Sequence, residues 1–157
     1  MWESLQHADW VMFLATTRWL FGLVLIVHFF SLCFCTGTIV LLDLRVLGIG
    51  GRRKVLTALA EQFRPWIWIG FGLAVLSGFL LFAPEAADYA GVTPFRLKML
   101  ILLAAVILTF AMQRTFANGD SSAAIPTGAK ILAVVSILLW LGAILIGVEI
   151  APLTGLG

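Results

Sequence analysis

Four long runs without a charged residue divide this chain of 157 residues, and they limit what it can fold into. The runs cover residues 19–42, 65–84, 99–113 and 131–148. About 20 residues of helix cross a hydrocarbon core of roughly 30 Å. Backbone polar groups find no water in lipid, so helices are the structure expected for these runs. We predict four transmembrane helices, at about residues 17–44, 65–83, 95–115 and 130–150.

The composition supports an integral membrane protein. Apolar residues make up 62% of the chain and charged residues 11%, against about 25% charged in soluble domains. A soluble domain of this size leaves about 30% of its surface in water, which excludes a soluble enzyme, a disordered chain, a coiled coil and a nucleic-acid-binding domain. We expect one all-α domain over residues 1–157, folded as a four-helix bundle in the lipid bilayer.

Basic residues predict the orientation of the spans, because cytoplasmic loops carry an excess of Lys and Arg. Seven basic residues fall on one side, namely Arg45, Arg52, Arg53, Lys54, Arg64, Arg114 and Lys130. Three fall on the other, namely Arg18, Arg96 and Lys98. Both termini should therefore face outward.

Two short interfacial helices are also expected, at residues 2–14 and 53–64. Pro65 then occupies the first helical position of the second span.

Small residues at a spacing of four mark one face of the second span. Gly70, Ala74 and Gly78 form this stripe, which predicts close packing of helices.

At the inner end of the first span, Asp43 lies at a helix C-terminus, where a negative charge is unfavourable. Pairing with a loop arginine would compensate, so we assign Asp43 and Arg45 a structural role.

His28 is the main candidate for chemistry, because it lies well inside the first span. Ionisable groups at that depth are costly and usually face the bundle interior. A neutral imidazole is a good ligand for haem iron or a transition metal. The alternative is a histidine that only hydrogen-bonds to a neighbouring carbonyl or hydroxyl. The other histidine, His7, lies outside the spans, so two histidines of this chain cannot hold one haem between the spans.

Cys33 and Cys35 follow His28 in the same span. Residues two apart on a helix point away from each other, so a disulfide between them is not expected. Together with His28 they suggest a Cu(I) site, with packing thiols as the favoured alternative.

Arg96 and Lys98 begin the third span, where cations oppose the helix dipole and need anionic partners. Lipid phosphates, Glu85 or Asp88 would serve, and so would a ligand carboxylate such as a haem propionate.

In the first span, His28 and Gly37 are followed by Leu42-Asp43-Leu44-Arg45-Val46-Leu47-Gly48. Later motifs are Pro65-Trp66, Ser77-Gly78-Phe79-Leu80-Leu81-Phe82, Phe95-Arg96-Leu97-Lys98 and Trp140-Leu141-Gly142. Together these motifs resemble a family of small four-span bacterial membrane proteins of the DUF type. The likeness covers nearly the whole chain, carries no assigned activity and implies the bacterial inner membrane. Relatives often have a histidine where this chain has Gln113-Arg114.

The first span, with His28, Gly37 and Arg45, is also distantly similar to CopD-type copper-resistance proteins and HemJ-type protoporphyrinogen oxidases. In the latter, the histidine at this position is implicated in haem b binding. The sequence thus leaves two hypotheses. In one, His28 binds haem b or a related redox cofactor for electron transfer or cofactor handling, with copper less favoured. In the other, the chain is a non-enzymatic subunit or scaffold that packs against itself or a larger membrane complex.

Overall fold

Helices account for all the regular secondary structure in the part of the chain that the structure describes. The structure is a computed structural model that describes the backbone of residues 2–49, 53–118 and 125–153, and the side chains of residues 2–49, 58–115 and 125–147. The elements are α1 (Trp2–Gln6), α2 (Asp9–Thr16), α3 (Arg18–Val46), α4 (Arg53–Phe82), a 3₁₀ turn (Ala83–Glu85), α5 (Ala86–Gly91), α6 (Thr93–Asn118) and α7 (Thr127–Leu153).

The four long helices α3, α4, α6 and α7 are each long and apolar enough to cross a membrane. The prediction of a multi-pass, all-helical membrane protein is confirmed at this level. With 26 to 30 residues, each helix is longer than its predicted span. At 1.5 Å per residue they reach roughly 40 Å, so their ends extend beyond the hydrocarbon core.

Helix α4 differs from the prediction at its start. A separate interfacial helix was expected at residues 53–64, but α4 runs without interruption from Arg53 through Pro65 to Phe82. Proline removes one backbone donor from a helix. A complete break next to the bilayer would leave more backbone groups unpaired, so continuing the helix costs less.

The four long helices form two hairpins. Helix α3 packs mainly against α4, and α6 packs mainly against α7. The hairpins meet through α3 and α7, and less extensively through α4 and α6. A chain of edge-to-face rings also joins them, from Phe110 on α6 through Trp68 and Phe71 on α4 to Trp140 on α7.

The segment before the first span forms two helices that cover one end of the bundle. Helix α1 lies against the 3₁₀ turn and α5, and α2 lies against the 3₁₀ turn. Trp2 meets Phe82 edge to face, Trp10 stacks on Phe79, and Val11 is fully buried. The single interfacial helix predicted at residues 2–14 is therefore two short helices packed on protein, with both tryptophans still about half exposed.

Candidate functional site

His28 on α3 is anchored to the neighbouring helix α4. Its Nδ1 lies 3.0 Å from the carbonyl oxygen of Ala74 and 3.1 Å from Oγ of Ser77. A carbonyl oxygen only accepts hydrogen bonds, so Nδ1 must donate and carry the proton. The hydroxyl of Ser77 in turn donates to the carbonyl of Leu73, which leaves its oxygen free to accept from His28.

The other ring nitrogen of His28 is left available. Nε2 has no hydrogen-bond partner among the residues that the structure describes, and the side chain is only partly buried. In the neutral ring, protonation at Nδ1 makes Nε2 the lone-pair nitrogen. Histidines that bind metals commonly donate their second nitrogen to a backbone carbonyl, which fixes the ring orientation. The geometry therefore suits a single ligand bond from Nε2.

The small-residue stripe of α4 makes this anchoring possible. A Cβ on Gly70 would lie 3.4 Å from Cβ of Cys35, and a Cβ on Gly78 would lie 2.9 Å from Cε1 of His28. Ala74, between them, is buried and supplies the carbonyl that His28 contacts. The stripe was expected only to permit close packing. It also brings the α4 backbone within hydrogen-bond distance of the imidazole.

The two basic residues at the start of α6 point in different directions. Arg96 is exposed, and its Nε donates to the carbonyl of Ala90 at 3.1 Å. Lys98 is half-buried, and its ammonium group packs against Gly147 of α7. A Cβ added to Gly147 would be only 2.9 Å from Nζ of Lys98. Of the two candidate propionate partners, Lys98 is therefore the one that is partly enclosed by the bundle.

The cysteines occupy different environments. Cys35 is buried between α3 and α4, where its Sγ donates to the carbonyl of Ile67 at 3.6 Å, whereas Cys33 is exposed. Within the described ranges, no three His, Cys, Asp or Glu side chains come together as a group that could hold a metal ion.

Asp43 is buried, with 4% of its surface exposed. It faces a cavity that Gln113 of α6 also lines. The side chains of Arg52 and Arg53 lie outside the described residues, so the expected pairing of Asp43 with a loop arginine stays a prediction. Arg45 is half-buried on the same helix.

The sequence did not indicate the roles of two polar residues, one beside His28 and one that shares the cavity with Asp43. Ser77 lies next to Gly78, so a hydroxyl inside a small-residue stripe was the available signal. Gln113, which accepts a hydrogen bond from Trp68 Nε1 at 3.0 Å, had been noted only as a replacement for histidine. Its amide inside an apolar run was a further signal of an interhelical partner.

A family model matches residues 14–151, which include α3, α4 and α6 completely and α7 except for its last two residues. The chain belongs to the family of unknown function DUF6644. No curated protein and no solved structure matches it. For this DUF6644 chain, the expected membership of an uncharacterised family is confirmed, and its four long apolar helices fit a small membrane protein. The likeness of its first span to CopD-type and HemJ-type proteins has no support from these comparisons and stays a prediction.

A haem at His28 fits by donor chemistry but has little room on one side of the ring. The imidazole packs so closely on Gly78 that a single added carbon would be 2.9 Å away. The cavity of about 30 Å³ lined by Asp43 and Gln113 does not include His28, and ligand pockets are usually about 300–1,000 Å³. Any porphyrin bound to Nε2 would therefore have to lie away from α4.

Proposed function

We propose that this membrane protein binds haem b or a related redox cofactor through Nε2 of His28. The role would be electron transfer or cofactor handling. The observation that supports this most directly is the hydrogen bond from His28 Nδ1 to the Ala74 carbonyl, which orients the ring and leaves Nε2 without a described partner. When bound, such a group would supply one-electron redox chemistry.

The residues of this chain would have three tasks in that function. Ala74 and Ser77 hold the ring and its tautomer, and His28 supplies one axial ligand. Lys98 supplies a positive charge for an anionic substituent of the cofactor, such as a propionate, with Arg96 nearer the end of the helix as a second cation. A second axial ligand would come from elsewhere.

Orientation and location belong to the same proposal. Most Lys and Arg residues lie towards the end of the bundle where α3 meets α4 and α6 meets α7. The preference for basic residues on the cytoplasmic side supports outward-facing termini in a bacterial inner membrane.

Absorption spectra of purified protein test the proposal. The protein is expressed with ample haem, purified in detergent and measured oxidised and reduced. We expect a Soret band in the wild type, its loss in His28→Ala, and its retention in the matched control His7→Ala. A colourless wild-type protein, or a full spectrum in His28→Ala, would overturn the assignment.

A second pair of measurements separates ligand loss from misfolding. In His28→Gly, added imidazole should restore the Soret band, because free imidazole can replace the missing ligand. A variant that stays monodisperse but gains no band with imidazole would count against iron ligation by this residue.

The alternative function is a non-enzymatic membrane subunit or scaffold. It is favoured by the observation that both contacts of Nδ1 tie α3 to α4, which is sufficient to explain a polar residue in the span. It predicts colourless wild-type protein that either forms stable oligomers or co-purifies in a fixed ratio with another membrane polypeptide. Size-exclusion chromatography with light scattering would show either outcome.

A further inference from the structure

A small cavity lies in the seam between the two hairpins, near the C-terminal end of α3. His28 lies in the N-terminal half of the same helix. The volume of the cavity is about 30 Å³, and residues of α3, α4 and α6 line it. Asp43, Thr109 and Gln113 are its polar lining residues, and the rest of the lining is apolar. Fifteen residues separate His28 from Asp43, which is about 22 Å along a helix. The cavity is therefore a separate site.

Two polar atoms of this lining are buried without a partner. Oδ2 of Asp43 and Nε2 of Gln113 have no hydrogen-bond partner in the described part of the chain. Asp43 is 4% exposed and Gln113 is 8% exposed, so solvent outside the bundle does not satisfy them. Buried polar groups in folded proteins are almost always hydrogen-bonded, to protein or to ordered water.

The orientation of the Gln113 amide is fixed by a neighbour. Trp68 Nε1 can only donate a hydrogen bond, and it lies 3.0 Å from Oε1 of Gln113. The amide oxygen is therefore the end that faces Trp68, and the NH₂ group is the unpartnered end. The cavity thus has one unpartnered donor, from Gln113, and one unpartnered acceptor, from Asp43.

Water is the ligand that matches this pair of groups. It can accept from the Gln113 amide and donate to the Asp43 carboxylate at the same time. A cavity needs about 10–15 Å³ to hold one water molecule, and this cavity has about 30 Å³. A bare cation would meet the positive end of the amide dipole and a mostly apolar wall. We propose that the cavity binds water that bridges Asp43 to Gln113.

Such a bridge would join three of the four long helices through polar groups. Trp68 on α4 donates to Gln113 on α6, and the bound water connects Gln113 to Asp43 on α3. The hydrated site would therefore link the two hairpins where α4 and α6 are less closely packed.

Radiolytic hydroxyl-radical footprinting tests for this water, because radicals formed from bound water oxidise adjacent side chains. Met112 lines the cavity but is only 7% exposed. We expect Met112 to be oxidised in the purified wild-type protein, and several-fold more slowly in Ala60→Leu, which fills the cavity. Met99, which is 48% exposed on the outer surface, is the internal control and should react equally in both proteins.

A second variant and a salt comparison complete the test. Gln113→Met removes the amide donor with little change in length, and it should also slow Met112 oxidation. If Met112 reacts no faster in the wild type than in either variant, the cavity is dry and the proposal is wrong. The melting temperature is also measured in sodium chloride and in choline chloride. If only sodium chloride raises the melting temperature of the wild type, and neither salt raises that of Asp43→Asn, the site binds a cation and the water assignment is wrong.

Discussion

Two polar residues on α3 are held in opposite ways. His28 lies against the small-residue stripe of α4, and its Nδ1 reaches both Ala74 and Ser77. Asp43 lies in the seam between the hairpins, where bulkier side chains leave a cavity and its Oδ2 has no described partner. At His28, the small residues of α4 let the two helices approach closely enough for a backbone carbonyl of α4 to bond the side chain. At the cavity, Oδ2 of Asp43 and Nε2 of Gln113 have no hydrogen-bond partner among the described residues.

The largest expected effect comes from adding one methyl group at the His28 contact. In Gly78→Ala the new Cβ would be 2.9 Å from Cε1 of His28, so the ring or α4 must shift. Overpacking of this kind costs about 1–3 kcal/mol. We expect a lower melting temperature in detergent and, where the cofactor is bound, a weaker Soret band.

Gly72→Ala is the matched control, because it is on the same helix and an added Cβ would meet nothing within 4 Å. Alanine is favoured over glycine in helices by about 1 kcal/mol, so this variant should be as stable as the wild type or more so. Equal stability of the two variants would show that His28 does not pack on Gly78 as the structure has it.

The contrast between these glycines also shows what the sequence could predict. The four spans follow from the long uncharged runs, since crossing lipid requires apolar helices whatever their packing. The stripe of Gly70, Ala74 and Gly78 follows from its spacing. Which helix the stripe faces does not, because that depends on tertiary contacts between residues such as His28 and Ala74 that are 46 positions apart.

The cavity lined by Asp43 and Gln113 was less predictable from the sequence than the stripe was. Asp43 was expected to pair with a loop arginine because it lies at a helix end, and that pairing stays a prediction. The sequence did not indicate that Asp43 also lines a cavity between the hairpins. Gln113 belongs to a different hairpin, and nothing in its own span indicates that it lines the same cavity. Unpartnered atoms and cavities result from the relative placement of helices, which a single sequence does not show without an alignment.

A smaller effect is expected from removing the second partner of His28. In Ser77→Ala, Nδ1 keeps the Ala74 carbonyl and loses one hydroxyl, so we expect a destabilisation of about 0.5–1.5 kcal/mol, which is the net value of a typical hydrogen bond. Thr38→Val is the control, since its hydroxyl bonds only the Phe34 carbonyl within its own helix. The melting temperatures of both variants in detergent provide the comparison. A Ser77→Ala protein no less stable than Thr38→Val would mean that the serine adds nothing to the anchoring of the ring.

The smallest change is expected where the polar group is unsatisfied. Asp43→Asn preserves the shape of the side chain and removes a buried charge whose Oδ2 has no described hydrogen-bond partner. Because the desolvation cost of a buried charge is relieved, stability should be unchanged or rise by up to about 1 kcal/mol. Asp88→Asn, at an exposed position of α5, should stay within about 0.5 kcal/mol of the wild type.

Removing one partner of a buried ion pair costs about 3–5 kcal/mol. A loss of that size in Asp43→Asn would therefore show that Asp43 is paired after all, with a loop arginine as the sequence predicts, and the contrast with His28 would no longer hold.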